Sequence, residues 1–261
     1  YTYCVYTAST GLKENFFVFT LIWAILSLYK YLNCRNAYRL VVFLLVSSLS
    51  LLFRLPVFFI LIATLLISVF LQFKFVSKHI KFWIVILIVS AVIAFPTVLS
   101  YIVSARGNMA LNQGMLDAIN SGENLIVYIG TVVLTSLVGA VPNFISDFEK
   151  LNYITLWNFG SFVRIILSGY AFYAVYKIIK YRCKRYYPLL IFVALHIVML
   201  VVTMFSIHDR YQMPQLPFIY LLTSLGVFEV SRSGSNVSKF FNTIYPFGAA
   251  IFVVVFNIYK N

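Results

Sequence analysis

Phe159–Ser206 reads FGSFVRIILSGYAFYAVYKIIKYRCKRYYPLLIFVALHIVMLVVTMFS. Two apolar runs, Phe159–Lys180 and Pro188–Ser206, enclose a short basic cluster of Lys177, Lys180, Arg182, Lys184 and Arg185. Each run reaches the ~18–20 residues that a helix needs to cross hydrocarbon. Both are apolar on every face, as lipid-embedded helices are, and lack the alternation of a membrane β-strand. Two spans joined by a cationic turn place that turn on the cytoplasmic side.

The rest of the chain repeats the pattern. Of 261 residues 62% are hydrophobic and only 10% charged, against roughly 45–50% and 25% in ordinary globular domains. Further spans are expected at Asn15–Leu32, Arg39–Phe53, Pro56–Phe73, Lys81–Ser104, Gln215–Val230 and Phe240–Lys260. Arg54-Leu55-Pro56 separates the second from the third, because proline cannot continue the hydrogen-bond ladder. Pro96 kinks the fourth. Tyr1 opens the sequence without a basic, cleavable leader, and the chain reads as the continuation of a longer one.

Basic residues sort by compartment. Besides the cluster above, Lys30, Arg35 and Arg39 follow the first span, Lys74, Lys78 and Lys81 the third, and Arg232 and Lys239 lie between the last two. These four sites hold 13 of the 20 basic residues and one acid, Glu229. The remaining seven basic residues share the other side with six acids. The net charge of +13 is therefore a topology signal and not a nucleic-acid footprint. Cys34 and Cys183 fall in cytoplasmic turns as free thiols, and with Cys4 they form no metal or redox spacing. Asn236-Val237-Ser238 is a sequon on the wrong side for glycosylation.

An odd number of crossings must join the polar loop after Ser104, outside, to the basic cluster, inside. Leu125–Val141 is the weaker span candidate and becomes a re-entrant or interfacial helix. The expected fold is all-α: a polytopic transmembrane bundle of about eight spans plus that helix. It divides into residues 1–104 (first four-span half), 105–158 (external segment) and 159–261 (second four-span half).

Chemistry belongs to the external side, where ionisable groups beside hydrocarbon pair or line a polar cavity. The candidates are Lys13 with Glu14, Arg54, Arg106, Asp147 with Glu149, Arg164, and the run His208-Asp209-Arg210-Tyr211. Arg164 lies about five residues into its expected span, where it either snorkels outward or faces the interior and binds an anion with its planar fork. His196, in mid-span, is expected to hydrogen-bond a neighbouring helix. No phosphate-cradling glycine loop, dinucleotide motif or metal-ligand spacing is present.

Arg210-Tyr211-Gln212-Met213-Pro214-Gln215-Leu216-Pro217, an Arg-Tyr-x-x-Pro-x-x-Pro pattern entering an apolar helix, resembles a late-helix motif of the multispanning GT-C glycosyltransferases. Ser9-Thr10-Gly11-Leu12-Lys13-Glu14 is similar to a segment of bacterial members and of polysaccharide polymerases, and Arg54-Leu55-Pro56 to their Arg-Pro step. The resemblance implies transfer of a sugar from a polyprenyl-phosphate-linked donor to a glycan, lipid or protein acceptor, on the outward face of a bacterial cytoplasmic membrane. It implies that Lys13, Glu14, Arg54, Arg106, Arg164, His208, Arg210 and Tyr211 bind lipid phosphate or sugar. The family's catalytic acid lies in a first external loop without a counterpart here. Asp147, Glu149 and Asp209 are the acids available as a base or as ligands of a divalent cation. A transporter or flippase for a lipid-linked or anionic substrate, and a non-catalytic assembly subunit, are the readings from other classes.

Overall fold

The structure, a computed structural model, describes residues 14–72, 125–139, 141–142, 153–203 and 212–260. All regular structure among them is helical. Helix α1 (Glu14–Cys34) turns at Arg35 and Asn36 into α2 (Ala37–Leu49), and one 3-10 turn (Ser50–Leu52) leads to α3 (Leu55–Gln72). Then come α4 (Leu125–Val138), α5 (Tyr153–Lys180), a 3-10 turn (Lys184–Tyr186), α6 (Tyr187–Thr203) and α7 (Leu216–Ser231). The last rod is α8 (Ser235–Lys239), a π-helical turn (Phe240–Ile244) and α9 (Tyr245–Lys260).

The all-helical architecture agrees with the sequence, whereas among the described residues fewer helices than expected are long enough to be full spans. Asn15–Cys34, Gly160–Lys180, Lys184–Val201 and Ser235–Tyr259 are long and apolar enough to cross a bilayer. Ala37–Leu52, Leu55–Leu71 and Leu216–Ser231 are apolar but shorter, and the expected span Lys81–Ser104 lies outside the described residues. For Ala37–Leu52 the shortness has local causes. The Asn36 side chain accepts from the Tyr38 amide and starts α2, while Pro56 ends any continuation of it. Between them the chain has only the length of α2 and its 3-10 turn. The described part of helix α4 has 14 residues and is about 21 Å long at 1.5 Å per residue.

Helical periodicity builds the interior. Phe17, Leu21, Ala24 and Leu28 form one stripe of α1, buried against Phe43 and Val46 of α2, Val57 and Leu61 of α3, Phe192 of α6 and Phe218 of α7. The other side of α1, with Phe16, Phe19, Trp23 and Leu26, is exposed, as lipid-facing surface is. Among the described helices α5 and α7 pack together most extensively. A Cβ at Gly226 would overlap the Tyr170 carbonyl, so glycine is what lets the two backbones touch, the small-residue logic of helix pairs in lipid.

Hydroxyls join α5 to the last rod. Ser168 Oγ and Tyr245 Oη lie 2.6 Å apart. The π turn has a specific cause in Pro246. In π register Tyr245 N–H donates to the Phe240 carbonyl, and the next donor, due at Phe241, is missing because proline has no N–H. The Tyr170 hydroxyl reaches the gap, its one proton shared between the Phe241 carbonyl at 2.9 Å and Asn242 Oδ1 at 2.7 Å.

The basic segments gather at one end of the bundle. The Arg185 guanidinium lies over the Tyr29 ring at 5.1 Å, joining the α5–α6 turn to the end of α1. Tyr173 Oη and Ser233 Oγ are 2.8 Å apart, joining the end of α5 to the segment after α7. Lys74, Lys78 and Lys81 lie outside the described residues. Cys34 is exposed, Cys183 partly so, and both are free thiols.

Candidate functional site

The described structure concentrates buried polarity where α4 ends. Residue Gly139 closes that helix in the left-handed region (φ 104), its amide donating to the Thr135 carbonyl at 3.0 Å. A Cβ there would sit 3.3 Å from Arg164 Cδ. Glycine thus serves twice, permitting the positive φ and leaving a channel for the Arg164 side chain.

Through that channel Arg164 reaches the last turn of α4. Its Nη2 donates to the Ser136 carbonyl, and its Nη1 donates to Gln212 Oε1 at 3.0 Å. Ser136 O also accepts from Gln215 Nε2 at 3.1 Å. The last carbonyls of a helix lack internal partners and carry the negative end of its dipole, so a guanidinium is a favourable cap. Arg164 is only 6% exposed; it does not snorkel. Helix α5 begins at Tyr153, within the expected external segment and six residues before the expected start at Phe159. Arg164 is accordingly deeper in its helix than its distance from Phe159 implies.

The other arm of the cluster ends at His196. Gln215 Oε1 and His196 Nδ1 are 3.0 Å apart, so the ring bonds the start of a neighbouring helix. The tautomer follows from the chain of donors. A carbonyl only accepts, so Gln215 must present its amide nitrogen to Ser136 and its oxygen to His196. His196 Nδ1 therefore carries a proton. Nε2 is buried without a hydrogen-bond partner among the described residues, beneath a stacked Phe192 ring 6.0 Å away.

Arg54 approaches the same region from the start of α3. It is partly buried, with its guanidinium 5.7 Å from the centre of the Phe17 ring. Phe17 belongs to the same buried cluster as Phe192, whose ring stacks on His196. Two expected site residues, Arg54 and Arg164, thus share one polar neighbourhood with His196, Gln212, Gln215 and Ser136. Glu14 opens α1. Lys13, Arg106, Asp147, Glu149, His208, Asp209, Arg210 and Tyr211 lie outside the described residues.

Sequence reasoning passed over Gln212, Gln215, Ser136 and Gly139. The two glutamines carried a readable signal. They stand three apart around Pro214 at the mouth of an apolar helix, where an uncharged polar side chain must find a partner. Ser136 contributes only its backbone carbonyl, which no side-chain pattern reveals. No protein-family model matches the chain, and neither a curated protein nor a solved structure matches it.

Proposed function

We propose that the protein is an integral membrane glycosyltransferase that moves a sugar from a polyprenyl-phosphate-linked donor to a glycan, lipid or protein acceptor. In this reading it is a multi-pass protein of a bacterial cytoplasmic membrane, with about eight spans and its active face outward. The supporting observation is the Arg54–Arg164 neighbourhood, tied by Gln212 to the turn that follows Arg210-Tyr211. Arg210 stands two residues before Gln212 in the sequence. Three arginines would then border one site, suited to a lipid phosphate diester.

Within this reading the arginines divide the work. Arg164 donates to Ser136 and Gln212 and acts by positioning the turn. Arg54 and Arg210 take the phosphate, and their charge stabilises the negative charge that builds on it as the glycosyl bond breaks. The acceptor hydroxyl gives its proton to Asp147, Glu149 or Asp209, the same acids that would hold a divalent cation if one takes part.

The test is glycan synthesis in cells lacking the native copy and supplied with Arg54→Ala or Arg210→Ala. Expression and membrane insertion should be unchanged, and product should fall at least a hundredfold, the scale of losing a charge contact made in the transition state. Unchanged product in both variants rules the transferase out. Intact donor sugar carried across the membrane without transfer identifies a flippase instead.

A further inference from the structure

We infer that the basic end of the bundle binds anionic phospholipid headgroups, with the Lys177–Arg185 segment between α5 and α6 at its centre. This surface lies at the end of α5 away from Arg164, and the inference does not depend on the transfer chemistry.

The charge is concentrated and nearly unopposed. Five of the nine residues from 177 to 185 are basic and none is acidic. Lys180, Arg182, Lys184 and Arg185 are exposed and Lys177 is partly so. The Arg185–Tyr29 and Tyr173–Ser233 contacts bring Lys30, Arg35, Arg39 and Arg232 to the same end. The acid there is Glu229, in the last turn of α7.

Aromatic rings fix the level of these cations. Lys177 Nζ lies 5.3 Å from the Tyr173 ring centre and 5.1 Å from that of Tyr181. Lys180 Nζ donates to Tyr176 Oη at 2.9 Å and lies 5.3 Å from that ring's centre. Tyrosines at helix ends occupy the headgroup layer, so ammonium groups seated against them stay in that layer, where lipid phosphates are. The connections are too short to carry the charges further. Residues 181–183 alone separate α5 from the next helical turn, and residues 35 and 36 alone separate α1 from α2.

Backbone conformation at both turns points the same way. Arg35 (φ 51) and Arg182 (φ 50) occupy the left-handed position that ends a helix, where glycine is the least strained residue. Arginine stands there in both cases, with its side chain exposed. A cluster of four to eight Lys or Arg beside a span attracts anionic lipid. Short connections and a tyrosine layer favour a lipid over a nucleic acid or an acidic protein, each of which needs cations projecting into water.

The test uses the full chain in neutral detergent, with fluorescent phosphatidylglycerol and phosphatidylcholine as probes and anisotropy as the readout. Phosphatidylglycerol should bind at least tenfold more tightly, and the difference should shrink between 0.1 M and 0.5 M salt as screening sets in. Each neutralised cation should weaken binding about fivefold, so K177Q/K180Q/R182Q/K184Q/R185Q should lose the preference altogether. The charge-preserving variant K177R/K180R/R182K/K184R/R185K should keep it, which separates charge from folding. Should the glutamine variant fail to fold, the wild-type preference and its salt dependence, with the charge-preserving variant, decide the matter. Equal binding of the two lipids overturns the inference, as does a preference that survives in a folded glutamine variant. Displacement of phosphatidylglycerol by equimolar glycerol phosphate or by an oligonucleotide also overturns it, in favour of a free-phosphate or nucleic-acid site.

Discussion

Arg164 is the residue on which most of the described polar chemistry converges. Removing a buried guanidinium leaves the neutral acceptors it served desolvated and short of a partner, typically at a cost of about 1–3 kcal/mol for each group. Arg164→Ala should therefore lower the thermal midpoint of the detergent-solubilised protein markedly. Arg164→Lys should fall between the two, since an ammonium cannot serve Ser136 and Gln212 with a fork. A midpoint unmoved by Arg164→Ala contradicts the capping role. At His196 the prediction is spectroscopic: 15N chemical shifts of the labelled ring in bilayers should show the proton on Nδ1. A proton on Nε2 instead requires the Gln215 amide to be reversed and the Ser136 contact to be lost. Arg164 stood out in the sequence because a charge inside an apolar run is rare and costly. Its acceptor was hidden, since the Ser136 carbonyl is available only because α4 stops at Gly139. Where a helix stops next to an arginine 28 positions away is a tertiary fact.

At the scale of helices, hydropathy placed the described helices well and their ends poorly. It located α1, α5, α6 and the last rod, which are also the helices long enough to cross a bilayer. It started α5 six residues late, because Tyr153–Asn158 follows directly on the charged stretch of Asp147, Glu149 and Lys150 and was grouped with it, yet belongs to the helix. Polarity marks contact with water, and a helix extending beyond the hydrocarbon keeps its hydrogen bonds. Residue Gly226 offers the sharpest test of helix pairing. Gly226→Ala forces a Cβ into the Tyr170 backbone, where no flexible side chain can yield, and overpacking costs typically 1–3 kcal/mol. A shortened lifetime against heat in detergent is expected for Gly226→Ala, whereas Gly234→Ala, a position with open space around it, should behave as wild type. Equal lifetimes for the two variants contradict the close approach of α5 and α7. The π turn was illegible for a related reason. Pro246 announces a disturbance in the last span, but the compensating hydroxyl belongs to Tyr170 on another helix.

For the molecule as a whole, the sorting of lysine and arginine carries the topology. The described contacts bring three of the four basic segments to one end, as a single compartment for those residues requires. Cys34 and Cys183 make this measurable without new chemistry. A membrane-impermeant maleimide should label both in inverted vesicles and neither in right-side-out cells. A cysteine at Lys13 should show the reverse pattern. Labelling of Cys34 and Lys13→Cys from the same side breaks the orientation and, with it, the shared outer face that the transfer reading needs. Of the buried polar cluster, Arg164 was legible in the sequence, because a charge within an apolar run is rare. The cluster's floor, made of two glutamines and a backbone carbonyl, depends on helices far apart in sequence.

The junction at Ser136 also sets a timetable for biogenesis. Its carbonyl is clasped by side chains from residues 164 and 215, which leave the ribosome well after α4 has been made. Until α7 is threaded, α4 carries an open C-terminal end in a poorly solvating environment. A nascent chain arrested before Gln212 should thus keep α4 accessible to crosslinkers on the insertion machinery, and completion of α7 should release it.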